Sequence, residues 1–354
     1  MAGDRETDAG RFRSGSQRRR SWLIFLGACA ALGLIGEAAF RLFPLDPQLD
    51  YRFDEECYWS LEPDQSGRLW MGGGRFRSPV IHIGSDGFRR CAAGVPSPGG
   101  EEMLFLGDSY TFGLGVEDHE TFSARIVEFL PGSGICPRNG GGPGYGVFQS
   151  AALLRREIEA GRTPDVVVLT LPTGDVLRQP FSEDELAAYR ATQIRRKRLR
   201  DLSRMATFVY RKVIQIRGRN AKETRAVPNQ RNPGASAAFG ELWQADARRL
   251  SAMQALCRKH GSEFVVLHWP QPSAEGWNET VQQGLLELAE ANGLAVLTGL
   301  EERFEGRRRE ELTIPGDGHP SVLAHQIVAE YLAVELASLL QRERAGGATS
   351  NRTP

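Results

Sequence analysis

The run Met103-Leu104-Phe105-Leu106, closed by Gly107 and followed by Asp108 and Ser109, constrains the fold of this chain more than any other stretch. Consecutive apolar residues that end at a glycine read as a buried strand. A helical run, Glu120–Leu130, follows the turn. A serine at the tip of a buried strand, just ahead of a helix, is where an α/β sheet holds a nucleophile open to substrate. A Gly-Asp-Ser turn is common by itself; it gains meaning from Pro315-Gly316-Asp317-Gly318-His319-Pro320 near the other end of the chain. Asp317 and His319 supply the other two members of a Ser/His/Asp set. Three further apolar runs, Val166–Leu171, Phe264–His268 and Leu294–Leu297, alternate with helical patterns over Phe148–Ala160, Ala238–His260, Glu279–Asn292 and Val322–Leu340. Such alternation specifies an α/β fold, a three-layer α/β/α sandwich around a central parallel sheet.

With Gly107-Asp108-Ser109-Tyr110 near the start of the domain and Asp317-Gly318-His319-Pro320 near its end, the chain resembles the SGNH (GDSL) hydrolases over residues 101–340. The resemblance implies a flavodoxin-like sheet and serine acyl-transfer chemistry. A serine hydroxyl is a poor nucleophile until a base takes its proton. On the family pattern Ser109 is the nucleophile, His319 the base and later acid, and Asp317 the carboxylate that orients the imidazole. The pattern further implies an oxyanion hole made from the Ser109 N–H, a glycine N–H in Asn139-Gly140-Gly141-Gly142-Pro143-Gly144-Tyr145-Gly146, for which Gly141 is expected, and an Asn side chain from a third block.

The third block departs from the family. After the strand Val166–Leu171 the chain reads Pro172-Thr173-Gly174-Asp175, so Gly174 stands where the Asn is expected while Asp175 is retained. Either the Thr173 hydroxyl or a backbone N–H such as that of Gly174 takes over, or the hole is one donor short. The Asp–His spacing also departs, with Gly318 alone between Asp317 and His319 where the family commonly has two residues. The remaining histidines compete poorly as bases: His325 lies on a predicted helix, His268 ends a strand without a neighbouring acid, and His82, His119 and His260 have no supporting context.

Ahead of the domain, residues 1–20 form a basic tail ending in Arg18-Arg19-Arg20, and residues 21–40 are apolar except for Glu37. That length suits one membrane span of about 20 residues. The arginines ahead of it place the N-terminus in the cytoplasm and the body outside. The expectation is an uncleaved, single-pass signal anchor with a periplasmic catalytic domain. Three rivals are weaker. Glu37-Ala38-Ala39 is a poor signal-peptide cleavage site, Arg19-Arg20-Ser21-Trp22-Leu23 only loosely resembles a twin-arginine signal, and the lipoprotein-like Leu26-Gly27-Ala28-Cys29 falls in mid-run. Residues 41–100 read as a juxtamembrane segment padding the domain. Residues 181–237 form a polar, basic insertion with Arg195-Arg196-Lys197-Arg198-Leu199-Arg200 and the loop Ala226–Gly234. A charge run of this type is a solvated helix face, or in the sharper reading a rim for anionic glycan or phospholipid headgroups. Residues 341–354 are polar and expected to be disordered.

The formal net charge of zero gives no overall field pointing to nucleic acid. No metal-ligand spacing, phosphate loop or dinucleotide fingerprint occurs, so no metal or cofactor is expected. Of the five cysteines, Cys29 lies in the apolar run. The other four are expected either as two disulfides, Cys57–Cys91 and Cys136–Cys257, or as free thiols. The function expected is a membrane-anchored serine esterase or acyl hydrolase acting on acylated glycans or lipids. The alternatives are a polysaccharide O-acyltransferase using the same triad, and a catalytically weak scaffold or glycan-binding domain.

Overall fold

A computed structural model describes residues 9–43, 47–71, 74–91, 100–130, 134–220, 236–271 and 275–350. Helix α1 (Ala9–Leu42) is followed by β1 (Tyr51–Asp54), β2 (Tyr58–Leu61), β3 (Ser66–Gly67), β4 (Trp70–Met71), β5 (Phe76–Arg77) and β6 (Ile81–His82). Next come β7 (Glu102–Leu106), α2 (Ser109–Phe112), α3 (Phe122–Phe129), β8 (Cys136–Asn139), α4 (Val147–Glu159) and β9 (Val166–Pro172). Three helices then run in succession, α5 (Glu183–Leu202), α6 (Arg204–Asn220) and α7 (Ser236–Lys259). The chain closes with β10 (Glu263–Trp269), α8 (Glu275–Asn292), β11 (Ala295–Leu297), α9 (Leu300–Phe304), α10 (Arg309–Leu312) and α11 (Val322–Ser350). By its internal contacts the chain divides into two units, Met1–Asp46 with Arg195–Ile216, and Pro47–Ile194 with Arg217–Pro354.

In the smaller unit, the segment Gln17–Leu42 of α1 is long and apolar enough to cross a membrane, with a mean hydropathy of 2.0 and none of its most apolar window buried. Its one acid, Glu37, is not bare. The carboxylate accepts hydrogen bonds from the Ser203 hydroxyl (2.7 Å) and the backbone N–H groups of Arg204 (2.9 Å) and Met205 (3.1 Å), which are otherwise orphan donors at the start of α6. Phe40 packs against Phe208, with ring centroids 5.0 Å apart.

The larger unit is built on a parallel sheet of order β11-β10-β9-β7-β8. Every residue of central β9 is buried, as parallel strands covered on both faces must be. Alternate side chains go to opposite layers. Leu104, Leu106, Val167, Leu169 and Val266 pack with Leu153 and Leu154 of α4, Leu250 and Met253 of α7 and Leu285 of α8. Met103, Phe105, Val168, Val265 and Leu267 pack with Phe122 and Ile126 of α3 and Val328 and Leu332 of α11. The three-layer sandwich expected from the alternation is therefore present.

Strand β8 was not legible as a strand. Its sequence, Cys136-Pro137-Arg138-Asn139, has no apolar run, because it lies at the edge of the five-stranded sheet, where β7 is its one neighbouring strand. Helix α11 continues to Ser350, past the Leu340 boundary drawn from the sequence and into the stretch expected as a disordered tail. The basic insertion contributes α5 and α6, with Arg195, Arg196, Lys197 and Arg198 exposed, whereas the loop Ala226–Gly234 lies outside the described residues.

Of the two alternatives for the cysteines the free-thiol one is found: the disulfides Cys57–Cys91 and Cys136–Cys257 are absent, and all five cysteines are free thiols. The sheet separates the first pair. Cys57 packs in the layer with α4 and α7, whereas Cys91 lies 3.9 Å from Ser123 of α3 on the opposite side. Cys257 is a buried residue of α7, and Cys136 begins the edge strand.

Residues 47–91 form three antiparallel ribbons, β1 with β2, β3 with β6 and β4 with β5. Their Leu49, Leu61, Met71, Ile81 and Ile83 pack around Phe112 and Leu114, which immediately follow the Ser109 turn. The segment also supplies a fully buried arginine. Arg89 donates to Asp118 Oδ1 (2.8 Å) and to the carbonyls of Phe112 (2.8 Å), Gly113 (2.6 Å) and Val116 (2.7 Å). A guanidinium offers five donors in a fixed fork, which suits it to satisfying several carbonyls of one loop at once.

Candidate active site

The site forms at the carboxyl ends of β7, β9 and β10, where the strands hand over to loops. Gly107 ends β7 at φ +141°, and a Cβ there would lie 2.4 Å from Thr111 Oγ1 and 2.7 Å from the Thr170 carbonyl. Only glycine fits this approach. Asp108 caps the short α2 by accepting from the Tyr110 N–H at 2.7 Å. That cap turns Ser109 out at the first position of the helix, buried but facing the incoming loop from the far end of the chain.

The loop after α10 brings the other two residues. Ile314 N–H donates to the His319 carbonyl at 2.7 Å, closing a tight turn around Asp317 and Gly318. His319 Nε2 lies 2.9 Å from Ser109 Oγ, and its Nδ1 is in short contact with Asp317 Oδ1. The one-residue spacing that set this chain apart from the family therefore still places carboxylate, imidazole and hydroxyl in line. Gly318 permits it by adopting φ +93°.

Ser109 Oγ has a second neighbour, Asp108 Oδ2 at 3.2 Å. Arg178 Nη1 approaches that same oxygen at 2.9 Å and Asp175 Oδ1 at 2.5 Å. The guanidinium draws the Asp108 charge away from the hydroxyl and leaves His319 as its better acceptor. Burial pushes the Asp175 carboxyl well above the usual carboxylate range, against the pull of Arg178.

His268 and His325 are built differently. Burial lowers His268 to about 4 and His325 to about 3, so both imidazoles are neutral at pH 7. His325 Nδ1 accepts from the Phe122 N–H at 3.2 Å. His268 Nε2 lies 3.0 Å from the Thr173 hydroxyl, which itself donates to Asn278 Oδ1 at 2.6 Å. With its single proton committed to Asn278, the hydroxyl accepts from His268, which fixes the Nε2–H tautomer.

The expected oxyanion donors are mostly engaged elsewhere. Gly141 N–H donates to Asn139 Oδ1 at 3.0 Å, the Thr173 hydroxyl is committed to Asn278, and Gly174 N–H donates to Gln271 Oε1 at 2.7 Å. Of the four residues expected at the hole, the Ser109 N–H alone has no hydrogen-bond partner among the described residues. Arg178, Gln271 and Asn278 were not singled out from the sequence. The available signal was their position, since Gln271 falls two residues beyond β10 and Arg178 six beyond β9, at the carboxyl ends where parallel sheets gather their sites.

No family model matches the chain, and no curated protein is a significant match. Among solved structures it is similar to TesA, with a TM-score of 0.44 and 17% identity over 68% of this chain and 99% of that one. A putative lipolytic protein of the G-D-S-L family from Desulfitobacterium hafniense matches at a TM-score of 0.42 and 11% identity, covering 66% of this chain and 98% of that one. An acetylxylan esterase from Geobacillus stearothermophilus matches at 0.39 and 17% identity, covering 68% and 96%. The chain resembles the SGNH hydrolases. Likeness at this level carries no activity or substrate across, so the reading below rests on the site itself.

Proposed function

We propose that this protein is a serine esterase that hydrolyses acyl esters of glycans or lipids and is held at a membrane by α1, with its catalytic domain on the extracytoplasmic side. The observation that carries the reading is the 2.9 Å approach of His319 Nε2 to Ser109 Oγ, continued from Nδ1 to Asp317. Ser109 Oγ forms a bond to the acyl carbon while its proton passes to His319 Nε2 and the carbonyl π pair moves onto oxygen. Asp317 holds the ring in the Nδ1–H tautomer and stabilises the imidazolium. Collapse of the tetrahedral intermediate breaks the ester C–O bond, and the departing alkoxide takes the proton from His319. Water then repeats the sequence on the acyl-enzyme and releases the acid. Arg18, Arg19 and Arg20, at the N-terminal end of Gln17–Leu42, support the proposed orientation.

A fluorophosphonate probe tests the serine directly, since Ser109 Oγ attacks phosphorus and fluoride leaves. The expected result is one adduct per chain, on the peptide carrying Ser109, formed at least about 10²-fold more slowly in His319→Ala. Equal labelling rates in the wild type and His319→Ala would contradict the proposal.

A further inference from the structure

The apolar run of α1 carries one acid, Glu37, three residues before the run ends at Phe40. In a span of about 20 residues closing at Phe40, that carboxylate lies roughly 5 Å inside the hydrocarbon edge. A charge at such a depth is tolerated only where partners face it. Here they come from the elbow between α5 and α6. The Ser203 hydroxyl and the N–H groups of Arg204 and Met205 donate to Glu37, and Arg41 reaches back one turn to the same carboxylate at 2.7 Å. We propose that this elbow, Leu202–Met205, is a second membrane contact, seated in the leaflet at which α1 ends and held there by anionic lipid headgroups. The proposal rests on the reading of α1 as a membrane anchor.

The elbow is fixed on α1 at two successive turns, and all of the residues involved belong to the smaller unit. A Cβ on Gly36 would lie 3.0 Å from Met205 Sδ, and one turn further along both helices the Phe40 and Phe208 rings pack together. α6 therefore runs along α1 in the same direction, with its first turn level with Glu37. The residue turned outward at that level is apolar. Leu202 is 78% exposed, while its carbonyl lies 3.4 Å from Arg41 Nη2. Val209 and Val213, at i+4 and i+8 from Met205, continue an exposed apolar stripe along α6, and Leu42 and Phe43 are exposed at the end of α1. Single exposed apolar residues are ordinary on a protein surface. These adjoin the end of a helix whose own Leu32, Leu34 and Ile35 are exposed, so one apolar medium covers both.

The charges select the kind of partner. Arg195, Arg196, Lys197 and Arg198 are exposed on the last two turns of α5, within about 10 Å of Leu202 along the helix. Lys197 pairs with Asp201 at 2.9 Å, whereas Arg195, Arg196 and Arg198 make no ion pair among the described residues. The headgroup layer is about 5–8 Å deep on each side of a bilayer, so long basic side chains at this distance from the acyl boundary reach it. Each basic residue near an anionic surface favours docking about fivefold. An anionic glycan would meet the same arginines but offers nothing to cover Leu202; a bilayer does both.

The test is photocrosslinking of the full chain in vesicles of phosphatidylcholine with about a quarter phosphatidylglycerol. p-Benzoylphenylalanine replaces either Leu32, within the span, or Leu202. Its excited ketone takes a hydrogen from a neighbouring C–H and bonds to that carbon, so contact with lipid is read as a lipid mass added to the probe peptide. Lipid adducts are expected at both positions. Arg195→Gln/Arg196→Gln/Arg198→Gln is expected to lower the yield at Leu202 at least about threefold and to leave that at Leu32 unchanged. An adduct at Leu32 without one at Leu202 would overturn the elbow contact alone. Equal yields at Leu202 with and without the three arginines would overturn the role of the headgroups. No adduct at Leu32 would overturn the reading of α1 as an anchor, and this inference with it.

Discussion

Asp317, Gly318 and His319 pack the carboxylate and imidazole of the proposed site into three consecutive residues, and each makes a separate demand. In the proposed mechanism Asp317 holds the His319 tautomer through Nδ1, so Asp317→Asn is expected to reduce kcat about 10³–10⁴-fold while the fold persists. A steady-state assay beside a thermal melt checks both halves. Gly318 has nothing within 4 Å of a would-be Cβ, so Gly318→Ala acts only through its φ of +93°. A strained backbone of this type costs about 1–3 kcal/mol, and we expect activity to fall more steeply than stability because the strain is released by moving His319. Unchanged kcat/KM in Gly318→Ala would contradict that account.

The buried histidines make a pH prediction. Their folded values, about 4 for His268 and about 3 for His325, lie below the ordinary 6.5, so the unfolded chain binds protons more readily. The stability they contribute is complete above pH 6.5 and is lost as pH falls towards 3, by on the order of 3 kcal/mol for each. Urea unfolding between pH 7 and pH 4 is expected to show this decline, with a shallower slope in His268→Gln. At this scale the sequence singled out Ser109, Asp317 and His319 as candidates through a motif, and the structure brings the three side chains together. Gln271 and Arg178 carry no motif, and their meaning arises only when the ends of β7, β9 and β10 meet.

Among the elements, the segment of residues 47–91 braces the stretch after the serine turn with an apolar cluster and with one arginine. Arg89 ties together the carbonyls of Phe112, Gly113 and Val116, the segment that leads away from the serine turn. Arg89→Met leaves Asp118 and these carbonyls without their buried partner, which typically costs about 3–5 kcal/mol. Chemical denaturation is expected to show a loss of that size, and a loss under about 1 kcal/mol would mean that the ribbons do not brace the turn. The strands buried on both faces were readable as apolar runs, and α3, α4, α7, α8 and α11 were readable as helical runs, whereas the short α2, α9 and α10 were not. β8 escaped because an edge strand needs no apolar run, and the ribbons did because two-residue strands are held by partners distant in sequence.

For the whole molecule, two features stand apart: an apolar helix led by arginines, and a parallel sheet whose loop ends hold the reactive side chains. The composition and patterning of the first were plain in the sequence, while the contact of Glu37 with Ser203, Arg204 and Met205 was not, since 166 or more residues separate the partners. The account predicts that the full chain remains with membranes through alkaline carbonate washing and is released by detergent. Release by carbonate alone would contradict an anchor spanning the bilayer. The measurement that bears most directly on the central claim is p-nitrophenyl acetate hydrolysis by the detergent-solubilised chain beside Ser109→Ala and His319→Ala. The account predicts turnover in the wild type that both substitutions reduce to background. Activity that survives in Ser109→Ala would contradict it.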